Sequence, residues 1–213
     1  VPSPGYPVYK ISTLLCGGTP YIMPLREENG YLPRFEDIPE EVLQKAKILF
    51  LNYPNNPTGA CADDMFYKKA LDVAKEHDIL LCHDAAYSEI AYEGYMPKSI
   101  LQFDTEKKYS VEFHSLSKTY CMTGWRIGFV VGNADAIYNL GTLKTNIDSG
   151  VFQAIQYAGI EAITGDQSSL DDLKKRFQQR RDLVVDSLLS IGIKVARPRA
   201  TFYIWARVPT WYT

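Results

Sequence analysis

Ile79-Leu-Leu-Cys-His-Asp-Ala-Ala-Tyr87 opens on four apolar residues and then presents an imidazole, a carboxylate and a phenol. An uncharged run of that length suits a strand covered on both faces, as the strands of a parallel sheet are. Two stretches of the same design flank it. Upstream, Lys47-Ile-Leu-Phe-Leu-Asn52 runs into Tyr53-Pro-Asn-Asn-Pro-Thr-Gly59; downstream, Val111-Glu-Phe113 runs into His114-Ser-Leu-Ser-Lys118. Ligands of open parallel sheets bind outside the carboxyl ends of the strands. Asn56, Asp84 and Lys118 therefore stand where a ligand is expected, and their separations fit one strand plus its crossover each.

Working outward, Asp63 to His77 places Phe66, Ala70, Val73 and Ala74 on one face at helical period. Val8 to Cys16 reads as an amphipathic segment, Tyr21 to Leu25 as a short strand, and Ile127 to Val131 as a further strand. Phe35 to Ala46 reads as a helix, with Asp37 placed to cap it just before Pro39. From Ala134 onward helices dominate: Ala134 to Lys144, Val151 to Thr164 and Leu170 to Ile191. The last carries Leu170, Leu173, Phe177, Val184, Leu188 and Ile191 as its core stripe, with Arg and Lys elsewhere. Strands are expected over Ile193 to Ala196 and Thr201 to Val208. The pattern predicts an α/β fold. A three-layer α/β/α large domain with a mainly parallel sheet would occupy residues 1–180. The beginning of a smaller α+β C-terminal domain would occupy 181–213. Val1-Pro-Ser-Pro-Gly5 begins mid-loop and Trp211-Tyr-Thr213 stops just after a strand, so both ends read as cut and the chain as an internal piece of a longer one.

Composition narrows the function. Lys+Arg 23 against Asp+Glu 25 gives a net charge of -2, so there is no basic footprint for nucleic acid. The apolar runs are strand-sized, well short of the ~20 residues a membrane span needs. Cys16, Cys61, Cys82 and Cys121 include no C-x-x-C pair, which suits buried free thiols in a reducing compartment such as the cytoplasm. His77, His83 and His114 fall at no metal-ligand spacing, so no metal site is expected.

A lysine, an aspartate and an asparagine converging on one mouth form a specific chemical set. An amine condenses with an aldehyde. A carboxylate opposite a pyridine nitrogen keeps that nitrogen protonated, making the ring an electron sink. Amide and phenol groups hydrogen-bond a ring phenolate, and serines with an arginine hold a phosphate. This is the inventory that pyridoxal 5'-phosphate requires.

Asn55-Asn-Pro-Thr-Gly59, Asp84-Ala-Ala-Tyr87 and Ser115-Leu-Ser-Lys-Thr-Tyr-Cys-Met-Thr-Gly-Trp-Arg-Ile-Gly128 resemble the signatures of class I/II aminotransferases of pyridoxal-phosphate fold type I. The resemblance runs over nearly the whole chain. His114-Ser-Leu-Ser-Lys-Thr-Tyr120, Lys144 to Gln153 and Ala200-Thr-Phe-Tyr-Ile-Trp205 are most similar to the LL-diaminopimelate aminotransferase group. It implies transamination between an amino acid and a 2-oxo acid, LL-2,6-diaminopimelate with 2-oxoglutarate, in a cytoplasmic homodimer. Lys118 would be the Schiff-base lysine and the base that moves the proton. Asp84 would pair the pyridinium nitrogen, and Asn56 and Tyr87 would hydrogen-bond the ring O3′. Ser115, Ser117 and Arg126 would bind the phosphate, and Tyr6 would lie against the cofactor face. Cys121 and Ala200 depart from the commoner family residues. The family's Gly-rich phosphate loop and its substrate-carboxylate arginine are expected outside this stretch.

Each residue also has an ordinary reading. Asp84, Ser115 and Ser117 could cap helices, Asn56 could serve a turn, Tyr87 could be core, and Arg126 a sheet-edge charge. Gly124 and Gly128 bracket Arg126 as though to let backbone approach an anion. Ser115-Leu-Ser-Lys118 also matches the S-x-x-K of penicillin-binding proteins, but its companion motifs are absent. A triad through His83 and Asp84 is excluded because adjacent strand residues face opposite ways. A C–S β-lyase of the same fold and a catalytically incompetent fragment remain as alternatives.

Overall fold

The computed structural model describes residues 1–212. Its centre is a four-stranded sheet in the order β3 (Ile48–Asn52), β4 (Leu80–Asp84), β5 (Ser110–Ser115), β6 (Gly128–Gly132). β1 (Pro2–Ser3) and β2 (Met23–Pro24) form a separate two-residue parallel pair. β3, β4 and β5 run parallel, and β6 is antiparallel to β5. The link from β5 to β6 holds only the single turn of α4 (Leu116–Thr119) and a 3-10 turn at Thr123–Trp125. A segment so short cannot return the chain to the start of the sheet, so the next strand runs back alongside. The expected α/β fold with a mainly parallel sheet is the one found.

Strand alternation sorts the chemistry onto two faces. Leu49, Leu51, Leu81 and His83 point to one side, where α3 (Asp64–Glu76) lays Phe66, Tyr67, Ala70 and Ala74 over them. Leu51, Leu81, Ala70 and Ala74 are wholly excluded from water. Asp63 caps α3, its side chain accepting the Phe66 N–H at 2.8 Å. Phe50 and Asp84 point to the other side, where α1 (Val8–Leu15) sets Tyr9 in a stack on Phe50, ring centres 5.1 Å apart.

Several expectations fail for identifiable reasons. The segment 35–46 is a 3-10 turn at Phe35–Asp37 followed by the four-residue α2 (Glu40–Leu43), and Asp37 caps nothing. Pro39 forces the preceding Ile38 into extended backbone, which breaks the helix. Tyr21 to Leu25 contributes only the two residues of β2. Strands over 193–196 and 201–208 reduce to one isolated bridge, Val195 with Ala206, and a second bridge, Ala91 with Ala200, falls just before the latter span. Thr201 there is held at φ +67, outside strand geometry. Of the four thiols only Cys82 is buried, with its pKa pushed up to about 12 by burial, and Cys16 and Cys121 are exposed.

Three long helices follow β6: α5 (Ala134–Ile147), α6 (Gln153–Thr164) and α7 (Ser168–Ser190). α5 carries no buried residue, and its Tyr138, Leu143 and Ile147 lie open. α7 corrects the expected stripe. Its buried residues are Leu170, Arg181 and Val185, while Val184 and Ile191 are exposed. Arg181 donates to Glu93 at 2.6 Å and to the Pro198 carbonyl at 2.9 Å, with its guanidinium 4.7 Å from the centre of the Tyr92 ring. A side chain expected on the solvent face thus ties α7 to both the 92–93 turn and the returning 198–201 segment.

Candidate active site

Register builds the site. Asp84 pairs with Asn52 of β3 on one side and Phe113 of β5 on the other, so β3 and β4 end level and β5 runs two residues further, to Ser115, at the same edge. The turns carrying Asn56, Tyr87 and Lys118 leave from that common edge. One side chain that the motifs did not mark binds two of these turns together. The Asn52 amide donates to the Asp84 carbonyl at 2.9 Å, and its Oδ1 accepts the Asn56 N–H at 2.8 Å. Asn55 is buried in the same turn and accepts from the Thr58 hydroxyl at 2.7 Å. Gly59 closes the turn at φ +71, a conformation that costs other residues strain. Asn56 gives its backbone N–H to this network.

Asp84 is more than a turn cap. Its Oδ1 accepts the Ala86 N–H at 3.1 Å, and its Oδ2 accepts the Tyr9 hydroxyl at 2.5 Å. A carboxylate offers about four lone-pair positions, so acceptor capacity remains for a ring N–H. Tyr6 packs edge-on against Tyr9, ring centres 5.8 Å apart. Tyr87 is buried, and its hydroxyl meets that of Tyr203 at 2.8 Å. Burial, then the Tyr203 bond and the charge of Asp84, raise the Tyr87 phenol above its ordinary pKa. Tyr6, Tyr9, Asp84, Tyr87 and Tyr203 therefore form one cluster.

The 115–128 segment closes on itself. Ser115 pairs with Gly128, and the Leu116 N–H reaches the Ile127 carbonyl at 3.3 Å, so Ser115 and Arg126 stand at the two ends of one loop around Lys118. Ser115 begins α4 without capping it by its side chain, which removes the ordinary reading of that hydroxyl. Ser117 is buried and Lys118 half-buried. Arg126 is exposed and held at φ +54, with one guanidinium N–H on the Thr123 carbonyl at 2.9 Å. Four of its five donors remain for an anion. Gly128 has a different reason from the one expected: a Cβ there would come within 2.6 Å of the His114 carbonyl, so sheet packing demands glycine.

On the opposite face, His83 is wholly buried between Glu112 (Nδ1 to Oε2, 2.9 Å) and the Tyr53 carbonyl (Nε2 to O, 2.9 Å). Glu112 also meets His114 at 2.8 Å and accepts the Ile100 N–H at 2.9 Å. Burial pushes the Glu112 carboxyl up, but the bonds from His114 and His83 outweigh it and hold the group well below the usual carboxylate range. This cluster supports the sheet beneath the site and has no path to Asp84. The exclusion of a His83–Asp84 triad therefore holds.

A cavity of about 990 Å³ lies elsewhere, between Gly59–Cys61 and a basic stretch with Arg197, Arg199 and Arg207, and none of the eight predicted site residues lines it. Sequence reading missed Asn52, Tyr9 and Tyr203. Tyr9 and Tyr203 reach their partners across 75 and 116 residues, and no local pattern signals such pairs.

Residues 1–210 match the family model for aminotransferase class I and II. LL-diaminopimelate aminotransferase of Halothermothrix orenii is 54% identical over 212 residues, covering 100% of this chain and 54% of that protein. LL-diaminopimelate aminotransferase 2 of Trichormus variabilis is 54% identical over 213 residues, covering 100% of this chain and 55% of its own. Among solved structures, apo-BacF from Bacillus subtilis superposes with a TM-score of 0.94 at 42% identity, over 100% of this chain and 54% of that one. A probable N-succinyldiaminopimelate aminotransferase from Thermus thermophilus superposes with a TM-score of 0.87 at 35% identity, over 97% and 55% of the two chains. The chain spans about half the length of the curated relatives it matches. It belongs to the class I and II aminotransferase family.

Proposed function

We propose that the protein carrying this chain is a pyridoxal-phosphate-dependent aminotransferase acting on LL-2,6-diaminopimelate and 2-oxoglutarate. One observation supports the reading: Asn52 pairs with Asp84 and Asp84 with Phe113, so the strands that lead into Asn56, Asp84 and Lys118 are adjacent, parallel and in register, and each of those residues has the chemistry that one part of the cofactor needs. The donor set fits. Asp84 retains acceptor capacity for the ring nitrogen, Asn56 and Tyr87 offer donors to the ring oxygen, and Arg126 with Ser115 and Ser117 offers N–H and O–H groups to a phosphate. Bound, pyridoxal phosphate supplies an electron sink for the charge left when a proton leaves the amino-acid Cα.

The chain's own residues do the rest. Lys118 would hold the cofactor through its Nζ and would serve as the base that takes the proton from the amino-acid Cα and returns it to the cofactor carbon. Asp84 would keep a positive charge on the ring nitrogen, Tyr87, whose hydroxyl meets that of Tyr203, would hydrogen-bond the ring oxygen, and Tyr6 would cover the ring face. Identity of 50–54% to relatives named LL-diaminopimelate aminotransferase supports the substrate pair. Residues 1–180 would form the cofactor-binding side and 181–213 the beginning of a smaller domain, in a cytoplasmic homodimer.

Borohydride reduction of the full-length protein with pyridoxal phosphate, followed by peptide mapping, tests the cofactor. A phosphopyridoxyl adduct confined to Lys118, lost in Lys118→Ala, is the expected result. No adduct, or labelling spread over many lysines, overturns the reading. Glutamate formation from LL-diaminopimelate and 2-oxoglutarate tests the substrates, and release of pyruvate, ammonia and a thiol from a cysteine S-conjugate instead would favour the β-lyase.

A further inference from the structure

Tyr9 lies outside every motif that marks the site, yet it makes a short hydrogen bond to the most chemically specific group there. Its hydroxyl donates to Asp84 Oδ2 at 2.5 Å across 75 residues of chain. The ring is buried, stacked on Phe50 at an interplanar angle of 19° and braced edge-on by Tyr6. Its backbone carbonyl is held by the Thr13 hydroxyl at 2.7 Å, inside α1. The phenol cannot swing away from Asp84 without breaking that packing.

We propose that Tyr9 is the positioning residue for Asp84: it fixes the carboxylate in the orientation that meets the cofactor ring nitrogen, and so sets how fully that nitrogen is protonated. The inference rests on the pyridoxal-phosphate reading above and deepens it. The geometry divides the carboxylate into parts. Oδ1 is anchored by the Ala86 N–H and Oδ2 by Tyr9, so rotation about the Cβ–Cγ bond would break both bonds at once. The backbone carbonyl of Asp84 is tied to Asn52 as well, so main chain and carboxylate are both held while the carboxylate keeps lone pairs for a further donor. A donor on a carboxylate also draws charge from it and lowers its basicity. Tyr9 therefore limits how strongly Asp84 pulls on the ring proton. Burial, followed by the Asp84 charge and hydrogen bond, raises the phenol far above its ordinary pKa, so it stays a neutral donor across the working range.

The test compares full-length wild type and Tyr9→Phe loaded with cofactor 15N-labelled at the ring nitrogen. Tyr9→Phe deletes one oxygen and keeps the stack on Phe50. The expected result is a displaced ring-nitrogen 15N signal, with cofactor dissociation constant raised roughly ten-fold, as loss of a hydrogen bond to a charged group allows. A ring-nitrogen signal identical to wild type overturns the proposal whatever happens to affinity, because Tyr9 would then serve packing alone. Should Tyr9→Phe not fold, Phe50→Leu, which loosens the Tyr9 ring and spares its hydroxyl, must displace the same signal, and an unmoved signal there overturns the proposal equally. Failure of wild type to take up cofactor at Lys118 is a different result: it removes the pyridoxal-phosphate reading and the role of Tyr9 with it.

Discussion

The hydroxyls of Tyr87 and Tyr203 meet at 2.8 Å, joining the turn after β4 to the last stretch of the chain across 116 residues. Phe202 packs edge-on against Tyr87 beside this bond, ring centres 5.4 Å apart. The returning segment thus helps to shape the site. Tyr203→Phe removes the partner and leaves Tyr87 buried with its hydroxyl free to turn. Cofactor affinity should fall by about three- to ten-fold, the worth of one neutral hydrogen bond, with the melting temperature barely moved. Fluorescence titration with pyridoxal phosphate checks this, and affinity equal to wild type would show that Tyr203 does nothing for Tyr87.

Arg126 presents donors outward from a strained backbone, with only the Thr123 carbonyl taking one of them. Arg126→Ala should weaken cofactor binding by roughly ten- to hundred-fold through loss of bidentate phosphate pairing. Arg126→Lys should recover only part, since an ammonium lacks the planar fork. Pyridoxal without its phosphate should bind wild type and Arg126→Ala alike. Unequal binding of pyridoxal would locate Arg126 elsewhere in the pocket.

Glu112 sits between His83 and His114 under the sheet. Its folded pKa lies below the ordinary 4.5, so the stabilisation it gives is complete above about pH 4.5 and drains away as pH falls toward the folded value. Glu112→Gln should cost about 3 kcal/mol at neutral pH, because the buried His83 loses a charged partner. The acid limb of the stability curve should also flatten. Urea unfolding of the full-length protein at pH 7 and pH 4 reads both effects, and parallel pH curves for the two proteins would contradict the assignment.

Arg181 is 4% exposed and holds Glu93, Asp182 and the Pro198 carbonyl together. Arg181→Ala strands the half-buried Pro198 carbonyl and uncovers the Tyr92 ring. The expected loss is about 2–3 kcal/mol, toward the lower end for a buried pair because both carboxylates can reach water. Thermal unfolding measures it, and Arg181→Lys should restore little.

Local patterns carried far in this chain. The 3.6-residue period of 63–77 and the uncharged runs at 48–51 and 79–82 identify α3, β3 and β4, because burial of one face or two is written residue by residue. The eight candidate residues came from turns at strand ends and from family signatures, and the register shows why those turns meet. What stayed hidden shares one physical feature. Tyr9, Tyr203, Glu112 and Arg181 act through partners distant in sequence, and side-chain direction there follows from packing rather than from neighbours. The broken helix at 35–46 was legible in principle, since Ile38-Pro39 is a boundary signal, but Asp37 before Pro39 with two glutamates following reads equally as a helix start.

The alternation that turns His83 inward and Asp84 outward has a bearing on folding. A slip of β4 by one residue would send the carboxylate among Tyr53 and Tyr67 and lift the imidazole to the ligand edge. Such a misaligned sheet could keep most of its apolar contacts while offering no partner to a pyridine nitrogen. On the proposed reading, cofactor capture would act as a check on strand alignment, because only molecules with the correct pairing would acquire the cofactor's colour. Colour yield during refolding would count correctly aligned sheets, which neither circular dichroism nor compactness can distinguish.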